Sequence, residues 1–184
     1  MLWLRPLSIG GGTLAMAGLL GLSIPGSPKV APVPQQAQTA PAGETVGGIS
    51  CDAQEGQRIH IHQHLVIFDH GKMVDIPRNV GQPVQKRCIY WLHTHTPDGI
   101  IHIEAPADRS FTLGDFFLVW GQPLGKTIAA TARMAKGDSL KVWVDGKPFA
   151  GDPRTIPLRV HTDIVIEVGP PFVPPPKYTT WGSL

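Results

Sequence analysis

The sequence predicts a mainly β domain, either a small antiparallel sandwich or a half-open barrel, with one short helix. Apolar and polar residues alternate in several short segments, turn-forming residues separate these segments, and the chain of 184 residues contains 19 prolines and 21 glycines. Alternate side chains of a strand point to the same face, so this pattern is typical of strands that are buried on one side. We expect about six to eight strands packed as one layered domain.

Two hairpins are predicted in the first half of the domain. The first covers residues 59–76 and turns at residues 69–71, where Asp-His-Gly interrupts the alternation. The second covers residues 87–106 and turns at residues 96–99, Thr-Pro-Asp-Gly. Proline suits the first central position of such a turn, and glycine suits a left-handed position.

The register of the second hairpin has two alternatives. A tight turn places His93 opposite His102. A bulge at Gly99 slips the pairing by one residue and places Thr94 opposite His102 instead. We favour the first register, because it collects the polar side chains on one face and leaves the neighbouring isoleucines for the core.

One short helix is predicted between the two halves of the domain. Its apolar side chains recur at i, i+3, i+4 and i+7, a capping box begins it, and Gly121 ends it. The residues concerned are Thr112 and Asp115 for the capping box, and Leu113, Phe116, Phe117 and Trp120 for the apolar stripe.

The second half of the domain is predicted to be strands as well. Residues 139–149 and 155–169 alternate in the same way, and Asp145-Gly146 supplies a hairpin turn. Residues 127–135 stay open between a strand and a loop.

Composition divides the chain into four segments. Residues 1–30 place one early positive charge before an apolar run, which is typical of a signal peptide or a membrane anchor, and both alternatives stay open. Residues 31–50 are a Pro/Ala/Gln-rich linker, residues 51–170 are the His-rich β domain, and residues 171–184 are a Pro-rich tail. We therefore expect an exported protein at the periplasmic or extracellular face of a membrane, with the membrane as a partner if the first segment is retained.

The two cysteines are expected to form a disulfide. Cys51 and Cys88 are the only cysteines of the chain, and disulfides are the usual state of cysteine pairs in exported proteins. The alternatives are that one of them is a soft metal ligand, or that both are buried free thiols.

Histidines are concentrated in the two predicted hairpins. The chain has eight histidines, and seven of them lie between His60 and His102. Several stand two residues apart, so they share one face of a strand. Neutral imidazole binds Zn, Cu, Fe and Ni well, and carboxylates complete such sites. The pattern predicts a transition-metal site; a solvated or pH-responsive face of histidines is the alternative.

The predicted metal ligands are His62, His64, His93 and His95, followed by His102. His60 and Glu104 are predicted to lie behind the ligands and to orient them, which is the usual role of a carboxylate next to a metal-bound imidazole. The remaining histidines, His70 and His161, are interpreted as surface or hydrogen-bonded residues without a role at the metal.

Three phrases of the sequence resemble an uncharacterised exported prokaryotic domain, over about residues 51–170. They are HIHQHLVIFDHGKMVDIPRNVG, CIYWLHTHTPDGIIHIEAP and FTLGDFFLVWG. The histidine usage is also similar to that of cupins, in which a glutamate closely follows a His-x-His motif. Here Glu104 comes nine residues after His95, so the similarity is confined to the kind of site.

Three classes of function remain after charge and motifs are considered. A formal net charge of +2 without a basic stripe argues against nucleic acid as a partner. No Gly-rich phosphate loop or nucleophile motif is present, which disfavours nucleotide and serine-hydrolase chemistry. The first class is a metal-binding protein, and the second is a metal-dependent hydrolase, hydratase or oxygenase with Glu104 as general base. The third is an interaction module in which the histidines are incidental.

Overall fold

The computed structural model describes residues 43–182 and residue 184, and it is mainly β with one α-helix. The predicted fold class is confirmed, and the sheets in this part of the chain do not close into a barrel. The predicted signal peptide or anchor and most of the predicted linker lie outside the described residues. The strands are β1 (Cys51–Asp52), β2 (Ile59–Asp69), β3 (Lys72–Val74), β4 (Ile89–Tyr90), β5 (Leu92–His93), β6 (Ile100–Ala105), β7 (Leu124–Gly125), β8 (Ile128–Ala129), β9 (Ala132–Arg133), β10 (Ser139–Val144), β11 (Lys147–Pro148) and β12 (Asp163–Gly169), and the helix α1 is Leu113–Trp120.

Seven strands form the main sheet. Their order is β11-β10-β12-β2-β6-β5, and β3 pairs with the end of β2. Every pair is antiparallel except β12 with β2, which is parallel, so the sheet is mixed where the sequence predicted an antiparallel one. Side chains alternate in the same way beside a parallel and an antiparallel neighbour, so the pattern of residues carries no information about strand direction.

Short strands form two smaller sheets. One is the pair β1-β4, and the other is β7-β8-β9. The second sheet contains most of the segment 127–135, for which the sequence left strand and loop open. This segment consists of two-residue strands joined by a turn. Among the residues that the structure describes, no helix is long and apolar enough to cross a membrane.

The second hairpin adopts the register in which His93 lies opposite His102, as predicted. Pairing of β5 with β6 ends there, because Thr94 exchanges backbone hydrogen bonds with residues 79–80 instead. The connection to β6 is therefore longer than a tight turn. His95 lies in this connection and not in the sheet.

Two glycines allow close backbone contacts around this end of the sheet. Gly99 has the left-handed φ that was predicted, +80°, and a Cβ there would lie 2.3 Å from the carbonyl oxygen of Leu65. A Cβ on Gly56 would lie 2.2 Å from the carbonyl carbon of Ala105. Only glycine fits at such distances. The loop of residues 53–58 can therefore lie directly against the end of β6.

The helix α1 covers the apolar face of the main sheet. Phe116 and Phe117 are buried on the helix, and they belong to one cluster with the inward-facing aliphatic residues of the strands. The fully buried members of this cluster on the sheet include Leu65, Ile67, Leu92, Ile101, Ile103, Ile164 and Ile166. The opposite face of the sheet carries the polar side chains, as alternation requires.

The capping box of α1 offers a test of the helix prediction. The Thr112 hydroxyl accepts a hydrogen bond from the Asp115 N–H at 3.3 Å, and the Asp115 carboxylate accepts from the Thr112 N–H at 2.8 Å. We expect Thr112→Ala to lower the free energy of unfolding by about 1 kcal/mol, because the Asp115 N–H loses the hydroxyl acceptor and keeps only the Thr112 carbonyl oxygen. Urea unfolding measures the difference. Thr112→Ser keeps the hydroxyl and should retain most of the stability; equal losses for both variants would contradict the capping role.

The Pro-rich C-terminal segment lies across part of the polar face without regular secondary structure. The ring of Phe172 lies 3.7 Å from the Lys141 ammonium nitrogen, and the ring of Tyr178 stacks on His64 with centroids 4.2 Å apart. The Tyr178 N–H also donates to Asp163 at 2.9 Å. The segment therefore packs against β10, β12 and the middle of β2.

Residues at the end of the predicted linker, before Cys51, contact the β domain. Val46 and Ile49 belong to the hydrophobic core, and the Tyr90 hydroxyl donates to the Glu44 carbonyl oxygen at 2.6 Å. These contacts join the last residues of the predicted linker to the domain.

The expected disulfide between Cys51 and Cys88 is present and joins β1 to the residue that precedes β4. The indole N–H of Trp91 donates to the Asp52 carboxylate at 2.7 Å next to it. Together these contacts hold the start of the loop 53–58, which leaves β1 toward the histidines.

Candidate metal centre

Three histidines form a row across neighbouring strands. His62 of β2 pairs with His102 of β6, and His102 pairs with His93 of β5. Directly paired residues share a face, so the three imidazoles point to the same side of the sheet. The ring centroids are 4.5 Å apart for His62 and His102 and 5.4 Å apart for His102 and His93. The row exists because β6 lies between β2 and β5, so both predicted hairpins contribute to one surface.

A first set of candidate ligands lies on the β2 side of this row, and we call it the β2 group: His60, His62, His102 and Glu104. One ligand atom from each lies within 4.8 Å of the others. His60 Nε2 is 3.1 Å from Glu104 Oε1. The His60 side chain is 61% exposed and the Glu104 side chain only 5%, so the group is open to solvent on one side and buried on the other.

A second set lies on the β5 side, and we call it the β5 group: His93, His95, His102 and Glu104. Its ligand atoms also lie within 4.8 Å of one another. His93 Nε2 is 3.2 Å from His95 Nε2 and 3.7 Å from Glu104 Oε2. The two groups therefore share His102 and Glu104, both of which stand on the central strand β6.

Glu55 lies beside the β5 group and was not among the residues predicted to form the site. Its Oε1 is 3.9 Å from His93 Nε2 and 3.7 Å from His95 Nε2. Glu55 stands in the loop 53–58, whose sequence has no strand periodicity. The only local signal is the following Gly56, whose need for a close backbone contact became visible only with Ala105 beside it.

Hydrogen bonds orient the imidazoles of the β5 group. His93 Nδ1 lies 3.0 Å from the Tyr90 carbonyl oxygen, to which it donates, so the other nitrogen, Nε2, keeps its lone pair. The Gln82 amide N–H donates to His95 Nδ1 at 3.2 Å. Because His95 Nδ1 accepts this bond, the proton of His95 is on its Nε2, which donates to His93 Nε2. A metal ion between these two nitrogens would replace that proton, since each nitrogen must offer a lone pair to the ion.

Burial keeps the central histidines neutral. Burial lowers the pKa of His93 to about 4. It also lowers the pKa of His102 to about 3, and the positive charges of neighbouring histidines, His62 first, add to this effect. The pKa of His62 is lowered by burial and by His60. Neutral imidazole is the form that binds a metal, so these side chains are ready to act as ligands at neutral pH.

The carboxyl group of Glu104 is unusual in two respects. Burial, followed by the negative charge of Glu55, raises its pKa to about 7. Its Oε2 is buried without a hydrogen-bond partner among the described residues, and the same is true of His102 Nδ1. A buried polar atom without a partner costs about 1–3 kcal/mol. Metal ions that accept lone pairs from these atoms would remove this cost.

His64 lies apart from both groups, although it shares their face of β2. The reason is its neighbour on the other side: His64 pairs with Asp163 of β12, and its Nδ1 lies 2.8 Å from the Asp163 carboxylate. Tyr178 covers its ring. Metal ligation by His64 stays a prediction. The structure brings together the other predicted residues, including the two that were expected to lie behind the ligands: His60, His62, His93, His95, His102 and Glu104.

The last two histidines have other partners. His70 Nδ1 lies 2.7 Å from Asp69 and its Nε2 lies 3.3 Å from Asp138, and hydrogen bonds to Asp69 and then Asp138 raise its pKa. His161 stacks on Trp181 with ring centroids 4.4 Å apart. Neither residue belongs to the β2 or the β5 group, and the interpretation of both as residues without a role at the metal stays a prediction.

The spacing of the ligand atoms suits a transition metal. Bonds of about 2.0–2.1 Å in a tetrahedral site place neighbouring ligand atoms about 3.4 Å apart. The distances from Glu104 to His60 and His93, and from His93 to His95, lie between 3.1 and 3.7 Å. The groups are therefore close enough to bind a metal ion. Nitrogen and carboxylate donors together suit Zn, Cu, Fe and Ni.

Comparison of the chain with protein-family models, with curated proteins and with solved structures gives no match.

Proposed function

We propose that this chain is an exported transition-metal-binding protein, which stores, delivers or senses the ion bound by its histidines. The observation that carries the proposal is the convergence of five histidines and Glu104 from β2, β6 and the β5 segment. Packing this many imidazoles together without a shared cation brings no structural advantage, since each buried nitrogen needs its own partner. The disulfide supports an oxidising, exported location.

Exposure of the outer ligands favours a protein that exchanges its metal over an enzyme. The side chains of His60 and His95 are 61% and 42% exposed. A shallow site of this kind gives metal donors and acceptors direct access to the ion. A catalytic site needs a recessed, open coordination position beside the ion.

A metal-dependent enzyme is the second candidate, and the raised pKa of Glu104 favours it. A carboxyl group with a pKa of about 7 can accept or donate a proton near neutral pH, as a general base or acid must. Metal exchange separates the two candidates. Transfer of bound Zn²⁺ to a chelator within seconds supports a carrier, whereas retention for hours supports an enzyme.

Elemental analysis tests the proposed function directly. The full chain would be exported to an oxidising compartment, purified without a polyhistidine tag, and measured for Zn, Cu, Fe and Ni. We expect at least one tightly held transition metal per chain. A chain that carries no metal, and takes up none of the four ions when they are supplied, would instead support the interaction module.

A second prediction tests which residues bind the metal, by removing two histidines of the β5 group. We expect His93→Ala/His95→Ala to lose the metal held by this group while circular dichroism shows an unchanged fold. The control is His70→Asn/His161→Asn, which removes the same number of histidines outside the site. Asparagine tolerates the left-handed backbone found at both positions. Full retention of metal by the first variant, or equal loss by the control, would contradict the assignment.

A further inference from the structure

The candidate metal centre contains more donors than one ion can use. A structural zinc site takes four protein ligands, and a catalytic site takes three. Seven side chains reach this centre, namely His60, His62, His93, His95, His102, Glu55 and Glu104. A single ion would leave about half of them without a bond to the metal.

The position of the strands divides these donors into two sets. His62 and His93 stand on the two strands that flank β6. Neighbouring strands lie about 4.8 Å apart, so the backbones at His62 and His93 are separated by about 10 Å. Ligand atoms of one ion lie at most about 4.2 Å apart, which is twice the metal–ligand bond. The groupings within 4.8 Å contain either His62 or His93 and never both.

Glu104 faces both sets with different oxygen atoms. Its Oε1 lies 3.1 Å from His60 Nε2, and its Oε2 lies 3.7 Å from His93 Nε2. The side chain is 5% exposed and stands on the central strand, between the two sets. This is the arrangement of a carboxylate that donates one oxygen to each of two ions.

The charge around Glu104 also leaves room for more than one cation. Its ion-pair partners among the described residues are the histidines His60, His93 and His102. No lysine or arginine of this part of the chain pairs with Glu104 or with Glu55. Among the described residues, no lysine or arginine therefore supplies the positive charge that two neighbouring carboxylates need.

We infer that the centre binds two transition-metal ions, bridged by the carboxylate of Glu104. The inference rests on the proposed function. One ion is held by His60, His62, His102 and Glu104 Oε1, and the other by His93, His95, Glu55 and Glu104 Oε2. His102 belongs to the first ion because its Nδ1 lies 3.8 Å from the same oxygen, Oε1. Two-metal sites of this kind hold their ions about 3.5–4 Å apart.

Exposed ligands of each set provide the variants for a test. His60 belongs to the first set and His95 to the second, and both side chains lie at the surface, so replacing either with alanine should leave the fold intact. His70→Asn is the control. The full chain and its variants would be stripped of metal and titrated with Zn²⁺ against a competing chelator. Bound zinc would be counted at the lowest concentration that saturates the natural chain.

We expect two zinc ions per natural chain and per control chain, and one in His60→Ala and in His95→Ala, because loss of a direct ligand weakens one position by about 100-fold or more. Loading with Cu²⁺ gives a second readout by electron paramagnetic resonance: coupled ions in the natural chain, and the signal of an isolated ion in each variant. One ion per natural chain, or two ions in both variants, would overturn the two-ion centre and leave the proposed function standing. No bound ion would overturn both.

Discussion

The Glu104→Gln variant is expected to be more stable than the natural chain in the absence of metal and to bind metal much more weakly. Glutamine has nearly the same shape but cannot ionise, and it offers only one oxygen. Since Glu104 belongs to both the β2 and the β5 group, its loss affects every ligand set of the centre. We expect the affinity for Zn²⁺ to fall by about 100-fold or more, since even residues that only orient metal ligands contribute about 10–100-fold.

The gain in stability should depend on pH. The pKa of Glu104 is about 7 in the folded chain against an ordinary value of 4.5, so the folded state holds the proton more tightly than the unfolded state. The natural chain without metal therefore loses stability as the pH rises from about 4.5 through about 7. The variant lacks this loss. Its advantage should be absent at pH 4 and reach about 3 kcal/mol at most above pH 7.

Urea unfolding at several pH values, with a chelator present, measures this difference. Glu44→Gln makes the same change of charge at an exposed position and should show neither effect. If Glu104→Gln binds Zn²⁺ as tightly as the natural chain does, Glu104 is not a ligand. If its stability follows the same pH dependence as that of the natural chain, the buried carboxyl group does not hold its proton as described.

Loss of the disulfide is expected to have the largest effect on the stability of the domain. Cys51 and Cys88 are separated by 37 residues. Cross-linking a loop of this length restricts the unfolded chain and stabilises the folded state by about 3–4 kcal/mol. We expect Cys51→Ala/Cys88→Ala to lose about this much free energy of unfolding. The variant should also bind metal less tightly in the β5 group, because the loop that carries Glu55 begins at the strand that the disulfide anchors.

Chemical reduction supplies the control for this variant. Reduction of the natural chain should reproduce the loss of stability, and the variant should not respond to the reductant. Metal binding by the β2 group should be nearly unaffected in both cases, since Glu55 does not contribute to it. An unchanged free energy of unfolding after reduction would contradict the stabilisation expected from closing a loop of 37 residues.

Local patterns predicted much of the fold. The helix α1 was marked by a capping box at Thr112 and Asp115 and by a stripe of apolar residues, and all of these signals lie within about three turns of one segment. The pairing of His93 with His102 followed from a hairpin that joins neighbouring segments. The parallel pairing of β12 with β2 was not predictable in this way, because it joins segments about a hundred residues apart without a local turn.

The candidate site was predictable to the extent that it depends on alternation along single strands. His60 and His62 share a face of β2, and His102 and Glu104 share a face of β6, whatever the rest of the chain does. His64 obeys the same rule but contacts Asp163 and Tyr178, since β12 and the C-terminal segment lie on that side of β2.

The sequence by itself determined which side chains share a face, where the helix begins, and which two cysteines can pair, because each of these follows from spacing along the chain or from composition. Only the tertiary structure decided how the histidines are distributed between the β2 and the β5 group. Placing β6 between β2 and β5 made His102 and Glu104 common to two groups, and the contact of Gly56 with Ala105 brought Glu55 to one of them. The pairing of β2 with β6 and the contact of Gly56 with Ala105 join residues that are distant in sequence, and no local turn or alternation of residues encodes them.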